Sequence, residues 1–318
     1  RSSLYFGAIL NDSAQTGSQE ITISNNGSGD LLWTIDADVS WLRFTPASGL
    51  GNQTVQVSIE DNGLAVGTYN GNLIVSDSNA SNSPQTVSVT LTVKASGSSD
   101  RAFGVMDTPV DNATVSGSIP VTGWALDDIS VVEVRIYRDP LEGETEHLHV
   151  NGYILLGNAV FVEGARPDVE AAYPNYPKNN RAGWGFMLLT NQLPNNGNGS
   201  FVLRAIATDR EMQQVQIGSK TIVCDNANAI EPFGAIDTPT QGGETSGSDY
   251  INFGWALTPQ PNTIPTDGST IRVVVNGVNL GNPTYNNYRS DIAGLFPGYA
   301  NSDGAVGYFY LDTTGYAN

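Results

Sequence analysis

Short stretches in which apolar and polar residues alternate recur along the chain. Residues 20–24, 31–35, 54–59, 71–75 and 86–93 place Val, Leu and Ile on one face and Ser, Thr and Gln on the other. Period 2 marks a strand with one buried and one wet face. Turn-forming residues separate the stretches, as in Asn25-Asn26-Gly27-Ser28-Gly29. Short strands at this spacing predict a β-sandwich. Further strands are predicted at 119–125, 131–137, 152–156, 185–189, 201–207 and 220–223, and again at 271–275 and 307–311. The best helical turn spans 166–174, with Pro167 at a first-turn position, Asp168 near the start and Pro174 closing it.

One phrase is written twice. Phe103, Asp107-Thr108-Pro109, Ser116-Gly117 and Gly123-Trp124-Ala125-Leu126 return as Phe233, Asp237-Thr238-Pro239, Ser246-Gly247 and Gly254-Trp255-Ala256-Leu257. The offset is 130 residues at the Phe and 131 at the Trp, which marks an internal duplication. The expected fold is all-β, with three immunoglobulin-like β-sandwich domains in tandem. They span residues 1–95, 103–226 and 231–318, with 96–102 as a small-residue linker that is flexible by composition. The last copy has no counterpart of the strands at 200–207 and 217–223, so it is expected to lack its final strands. Either the stretch is trimmed, or another copy or another surface protein completes the open edge by strand addition.

Two family resemblances follow. Leu32-Trp33, Ser40-Trp41-Leu42, Pro46, Ser48-Gly49, Gly67 and Asn70-Gly71, with the closing Val-x-Val-x-Leu-x-Val strand, resemble the BACON family of immunoglobulin-like modules. That resemblance implies a secreted or surface-attached protein, often beside carbohydrate-active domains, with a role in glycan or mucin binding. Residues 103–225 resemble a bacterial immunoglobulin-like repeat of the D-T-P, G-W-A-L-D, R-P-D-V type, found in large secreted proteins. Together they imply an extracellular or cell-surface location in bacteria.

Composition narrows the partners. Only 14% of the 318 residues are charged, and 14 Lys and Arg against 32 Asp and Glu leave a net charge of −18. A basic footprint for nucleic acid is lacking, and an anionic membrane surface is disfavoured for the same reason. No apolar run reaches the ~18 residues of a membrane span. Calcium, neutral glycans and other proteins remain as partners. Cys224 is the one cysteine and ends a strand-like run, which suits a small buried hydrophobe; an intermolecular disulfide is the alternative. The first residue is Arg, as expected of a processed or excerpted chain.

The duplication sorts the candidate chemistry. Features in both copies serve the scaffold; features in one copy are where private function sits. Trp124 and Trp255 are expected in the core between the sheets. Arg166 with Asp168 and Arg289 with Asp291 are expected as ion pairs that staple the helical turn to the sandwich. Asp107 and Asp237, before Thr-Pro, are expected to hydrogen-bond their own turns. Both histidines lie in an insertion private to the second domain. In a strand His147 and His149 share a face, and Glu142, Glu144 or Glu146 would complete a two-histidine, one-carboxylate metal site; a solvated hairpin tip is the alternative. Calcium near Asp127-Asp128 or Asp225-Asn226 is a further option, although no EF-hand loop is present. Thr258–Asp267 is a Pro-rich loop private to the third domain, stiff and extended, of the kind that carries recognition. Tyr285, Tyr288, Tyr308 and Tyr310 offer a sugar platform or a subunit contact, or simply cover a sheet edge. No Gly-x-Ser-x-Gly elbow or phosphate loop occurs. The sequence therefore points to a non-enzymatic extracellular structural or adhesive protein, including a self-assembling fibre or stalk subunit. The alternatives are a glycan- or mucin-binding module and an accessory region of a secreted hydrolase.

Overall fold

A computed structural model of the chain describes residues 1–60, 63–144 and 152–316. The first sandwich is built from β1 (Ser3–Ile9), β2 (Gln19–Ile23), β3 (Leu32–Ala37), β4 (Leu42–Thr45), β5 (Ser48–Leu50), β6 (Gln53–Ile59), β7 (Gly67–Ser76) and β8 (Gln85–Lys94). Its sheets run β1-β8-β7-β3-β5 and β2-β6-β4. Alternation works as expected: Val87, Val89, Leu91 and Val93 of β8 are buried, while the residues between them face outwards or lie half-buried. Trp33 fills the centre, and its indole N–H donates to the Gly51 carbonyl at 3.1 Å. Strand β1 was not read from periodicity, because Phe6, Gly7, Ala8 and Ile9 are buried in succession. It pairs in parallel with β8, and its other face meets the second sandwich.

The second sandwich comprises β9 (Phe103–Thr108), β10 (Ala113–Val115), β11 (Ser118–Leu126), β12 (Val131–Arg138), β13 (Ile154–Asn158), β14 (Val160–Phe161), β15 (Gly183–Leu189), β16 (Asn198–Asp209) and β17 (Gln214–Asp225). Sheets β10-β17-β16-β12-β13 and β14-β15-β11-β9 enclose Met106, Val121, Ile136, Trp184, Leu203 and Ile222. Cys224 is buried in the same core with a free thiol, and burial pushes its pKa up to about 11. It packs as a small hydrophobe, out of reach of another molecule's cysteine.

The third unit comprises β18 (Phe233–Thr238), β19 (Tyr250–Leu257), β20 (Val273–Val275), β21 (Val278–Gly281), β22 (Thr284–Asn287) and β23 (Val306–Leu311). Its first sheet, β18-β19-β23-β22, repeats the plan of the second sandwich. Its second sheet is only the hairpin β20-β21, with no counterpart of β16 and β17 among the described residues, so Val274 and Val278 stay exposed.

The two duplicated tryptophans do not lie between the sheets. Along β11, Ile119, Val121 and Ala125 face the inter-sheet core, so Trp124 points to the opposite face. There the helical turn Pro167–Ala172 covers it, as Ser290–Leu295 covers Trp255. The inter-sheet tryptophan is Trp184.

Both junctions between units are tied. Ile9, Ala14 and Ile129 form a small buried cluster across the first, where the Thr16 hydroxyl donates to the Ile129 carbonyl at 2.5 Å. The linker is not loose there. The Asp100 backbone N–H donates to Asp128 at 3.0 Å, Lys94 pairs with Asp128, and Ala102 is buried. Composition alone gave it freedom that these contacts remove. At the second junction Ser118 Oγ donates to the Gly234 carbonyl at 2.6 Å and accepts from the Gly234 N–H at 3.1 Å. Asn191 Nδ2 reaches the Tyr299 hydroxyl at 3.0 Å.

Candidate functional site

Each repeat builds the same two devices outside the inter-sheet core. The first is an arginine clamp. Arg166 precedes a helical turn and Asp168 lies in its first turn, so the guanidinium meets the carboxylate edge-on. Nε donates to Oδ1 at 2.9 Å and Nη2 to Oδ2 at 2.7 Å. Arg289 and Asp291 repeat this at 2.7 and 2.8 Å. Hydrogen bonding from the arginine holds both Asp168 and Asp291 down at about 2. The remaining nitrogen reaches across to β9 or β18: Arg166 Nη1 lies 2.5 Å from Asp107, and Arg289 pairs with Asp237 in the same way. Asp107 and Asp237 therefore do not cap their own turns as the sequence suggested. The neighbouring threonine makes the local bond, Thr108 Oγ1 accepting from the Thr122 N–H at 3.1 Å and Thr238 Oγ1 from the Phe253 N–H at 3.0 Å.

The second device is a box of four rings. Phe103, Trp124, Tyr173 and Tyr176 form it in the second sandwich; Phe233, Trp255, Phe296 and Tyr299 form it in the third. The Phe–Trp contact is edge-to-face in both, at 5.7 Å and 89° against 5.9 Å and 88°. Such pairs add about 0.5–1.5 kcal/mol each beyond area burial. These groups are spent on holding the turn to the sheet, so the expected ion-pair staple is present and the tryptophans belong to it.

The tyrosine candidates divide. Tyr285 is 6% exposed and its hydroxyl donates to the Ala256 carbonyl at 2.7 Å, so it cannot stack on a sugar and is removed from the platform. Tyr288 is 70% exposed and Tyr310 58%. Tyr308 and Tyr310 share a face of β23, their rings 5.8 Å apart and nearly perpendicular. Sequence reasoning missed their neighbours. Register places Phe253 opposite Tyr308 and Ile251 opposite Tyr310, forming one apolar stripe on the outer face of the sheet. The second sandwich has Thr122 opposite Gly185 and Pro120 opposite Met187 at these positions. The signal was in the sequence, as Ile251 and Phe253 alternate with Asn252, but the pairing that joins the two strands was not.

His147, His149 and Glu146 lie outside the described residues. Among the described residues no group of three or more His, Cys, Asp or Glu is placed to hold a metal ion. At the second calcium option, Asp225 accepts from Asn228 Nδ2 at 2.8 and 3.1 Å, and Asn226 is engaged with Gly117, Thr190 and Gly197. Asp127 is different. Its Oδ1 accepts from the Ile129 and Ser130 N–H groups, each at 2.8 Å, while its buried Oδ2 has no hydrogen-bond partner. Burial, with smaller contributions from Asp128 and Asp209, pushes its pKa up to about 7.

The first sandwich is the part with a family likeness. Residues 2–98 match the viral BACON domain family. The BACON domain thus covers the first sandwich, as its Leu-Trp, Trp-Leu and Pro-x-Ser-Gly residues suggested; the family's description is viral, where the sequence reading expected a bacterial source. No curated protein matches the chain. Among solved structures it is similar to fibronectin(III)-like modules of CbhA from Clostridium thermocellum, at 14% identity, TM-score 0.25, covering 71% of this chain and 91% of that one. It is also similar to an endo-β-1,4-mannanase from Thermotoga petrophila (12% identity, TM-score 0.26, 40% of this chain and 20% of that one). A Bacteroides ovatus GH5 xyloglucanase gives 18% identity and TM-score 0.24 over 37% of this chain and 25% of that one. The matched part thus spans a quarter or less of those two enzymes. Beside the residues that match BACON, the described chain is mainly β-sheet, with two packed sheets in the second sandwich and a four-stranded sheet plus a hairpin in the third unit. Among the described residues no helix is long and apolar enough to cross a membrane.

Proposed function

We propose that the chain is a non-enzymatic extracellular segment that spaces and presents a binding surface on a cell or particle. One observation carries this reading: the same Arg–Asp clamp and four-ring box are built twice, and in each copy these charged and aromatic groups are consumed by the scaffold. Tied junctions suit a stalk, since they pass orientation from one sandwich to the next. Small-angle scattering of the whole chain tests it. A particle elongated along three units supports the proposal; units tumbling independently refute it.

A second reading rests on the stripe of Ile251, Phe253, Tyr308 and Tyr310, which only the third unit carries. Exposed aromatics beside polar side chains suit the faces of glycans, the ligand class proposed for this surface. Binding to mucin and polysaccharide arrays should fall at least tenfold in Tyr310→Ala, with the melting temperature unchanged. Equal binding by the variant removes the stripe as the surface. The open β20-β21 hairpin is the proposed place for strand addition by another copy, and a scattering mass that stays monomeric at high concentration would exclude that assembly.

A further inference from the structure

The chain carries 14 Lys and Arg against 32 acidic residues, so the cheapest arrangement pairs every cation with a carboxylate. Seven of the fourteen make no ion pair among the described residues, and three of these seven, Lys178, Arg181 and Arg210, gather in one place. All three line one cleft between the first and second sandwiches, about 210 Å³ in volume, and none has an ion-pair partner among the described residues. They also press on one another. Burial first, and then the charges of Arg181 and Arg210, lower the pKa of Lys178.

Three further observations mark the cleft as a built feature. Lys178 adopts the left-handed backbone region, with φ 51°. The matching position of the third unit is Asn301 at φ 60°, the residue type that tolerates this conformation best. A lysine there bears strain that asparagine avoids, and such strain gathers at functional positions. Its ammonium is seated against Gly17 of the first sandwich, where an added Cβ would lie 3.2 Å from Nζ. Finally, the buried Asp127 lines the same cleft with Oδ2 unpartnered.

The third unit has Asn301 and Gly304 where the second has Lys178 and Arg181, so the cations are private to one copy. The scaffold does not need them. We propose that this cleft binds an oxyanion, a sulfate or carboxylate group either free or carried on a saccharide unit. Two guanidinium groups and an ammonium match such a group's charge and its acceptor oxygens. The volume is many times the ~10–15 Å³ that one water needs by the same measure, which leaves room for a ring beside the anion. The site is separate from the aromatic stripe of the third unit, so the failure of either leaves the other standing.

Calorimetric titration of the whole chain with inorganic sulfate, glucose 6-sulfate and glucuronate, against sodium chloride at equal ionic strength, tests the proposal. Saturable binding is expected for at least one probe. Lys178→Asn and Arg181→Gly import the third unit's residues into an equivalent backbone, and each should weaken binding about tenfold, which is about 1.4 kcal/mol, without lowering the melting temperature. Arg210→Gln, on an exposed turn, provides an independent variant should either of these fold poorly. If glucose 6-sulfate binds about tenfold more tightly than sulfate, the ligand is a saccharide; equal affinity makes it the free ion, and both outcomes support an oxyanion site. No saturable binding by any probe, or wild-type affinity in all three variants, overturns it.

Discussion

The second and third units start from the same phrase and end with different kinds of stability. The second closes two sheets over a core of its own, centred on Trp184, and its four-ring box is an addition. The third has the box but no such core. Its one hydrophobic cluster among the described residues is the box itself, with Leu257, Ile292, Ala305 and Val306, and Ala235, together with Leu189 of the second sandwich, packs against it. The difference shows what the duplicated phrase encodes. It specifies a sheet, a helical turn and the rings and clamp that join them; the inter-sheet core is specified by the strands β16 and β17 that follow.

The largest test of this contrast is removal of the box tryptophan from each copy. Truncating a buried aromatic costs about 3–5 kcal/mol. Trp255→Ala should unfold the third unit, because little else there is buried, and should leave the rest folded. Trp124→Ala is half-exposed and backed by an intact core, so the second sandwich should survive with a lower melting temperature. Differential scanning calorimetry would show an early transition only in the Trp255 variant. Equal losses in the two variants would mean that the third unit has support from elsewhere.

A smaller effect separates the units by pH. Asp127 follows Leu126 in the second copy, where Thr258 follows Leu257 in the third, and both residues are buried. The folded pKa of Asp127 is raised from 3.8 to about 7, with burial as the first cause and the carboxylates Asp128 and Asp209 adding to it. The fold therefore favours its protonated form. The stabilisation is fully present below 3.8 and is lost as pH rises through about 7. Its ceiling is about 4 kcal/mol, about 1.4 kcal/mol for each pH unit between the two values. Urea unfolding should show the second sandwich gaining stability from pH 8 to pH 5. Asp127→Asn should flatten that slope and leave the third unit's profile unchanged. A slope that persists in the variant would place the titrating group elsewhere.

How much of this was legible depends on whether a feature is local along the chain. Strand β8 announces itself because one face is wet, and the Arg–Asp pair two residues apart announces a staple for the same reason. Strand β1 did not, since four successive residues are buried and period 2 disappears. The wrong face for Trp124 had a different origin. A tryptophan in a strand is read as core, but which of two faces is the core depends on β15 and on the helical turn, both far away in sequence. The stripe beside Tyr308 was half legible: each strand shows its own alternation, and only the register sets Phe253 opposite Tyr308. The cleft cations were invisible, because Lys178, Arg181 and Arg210 are ordinary surface residues until Gly17 of another domain comes against Lys178 and lines one cleft with all three.

The smallest effect belongs to the clamp, and it tests whether the two copies are electrostatically independent. Hydrogen bonds from Arg166 and Arg289 hold Asp168 and Asp291 at about 2, and both carboxylates sit at the surface. A depressed carboxylate contributes stability above its ordinary value near 3.8, and that contribution is lost as pH falls through about 2. Solvent screening keeps the effect small at neutral pH, so calorimetry is the wrong instrument and carboxyl carbon chemical shifts are the right one. In the wild-type chain both aspartates should titrate with midpoints near 2. Arg166→Gln should return Asp168 to the ordinary carboxylate range and leave Asp291 where it was; Arg289→Gln should do the reverse. The two clamps lie in different units and share no residue, so cross-talk between them would require the second junction to transmit a change in charge. If either substitution moves both aspartates, the repeats form one electrostatic unit, and the contrast between a self-sufficient second sandwich and a dependent third must be redrawn.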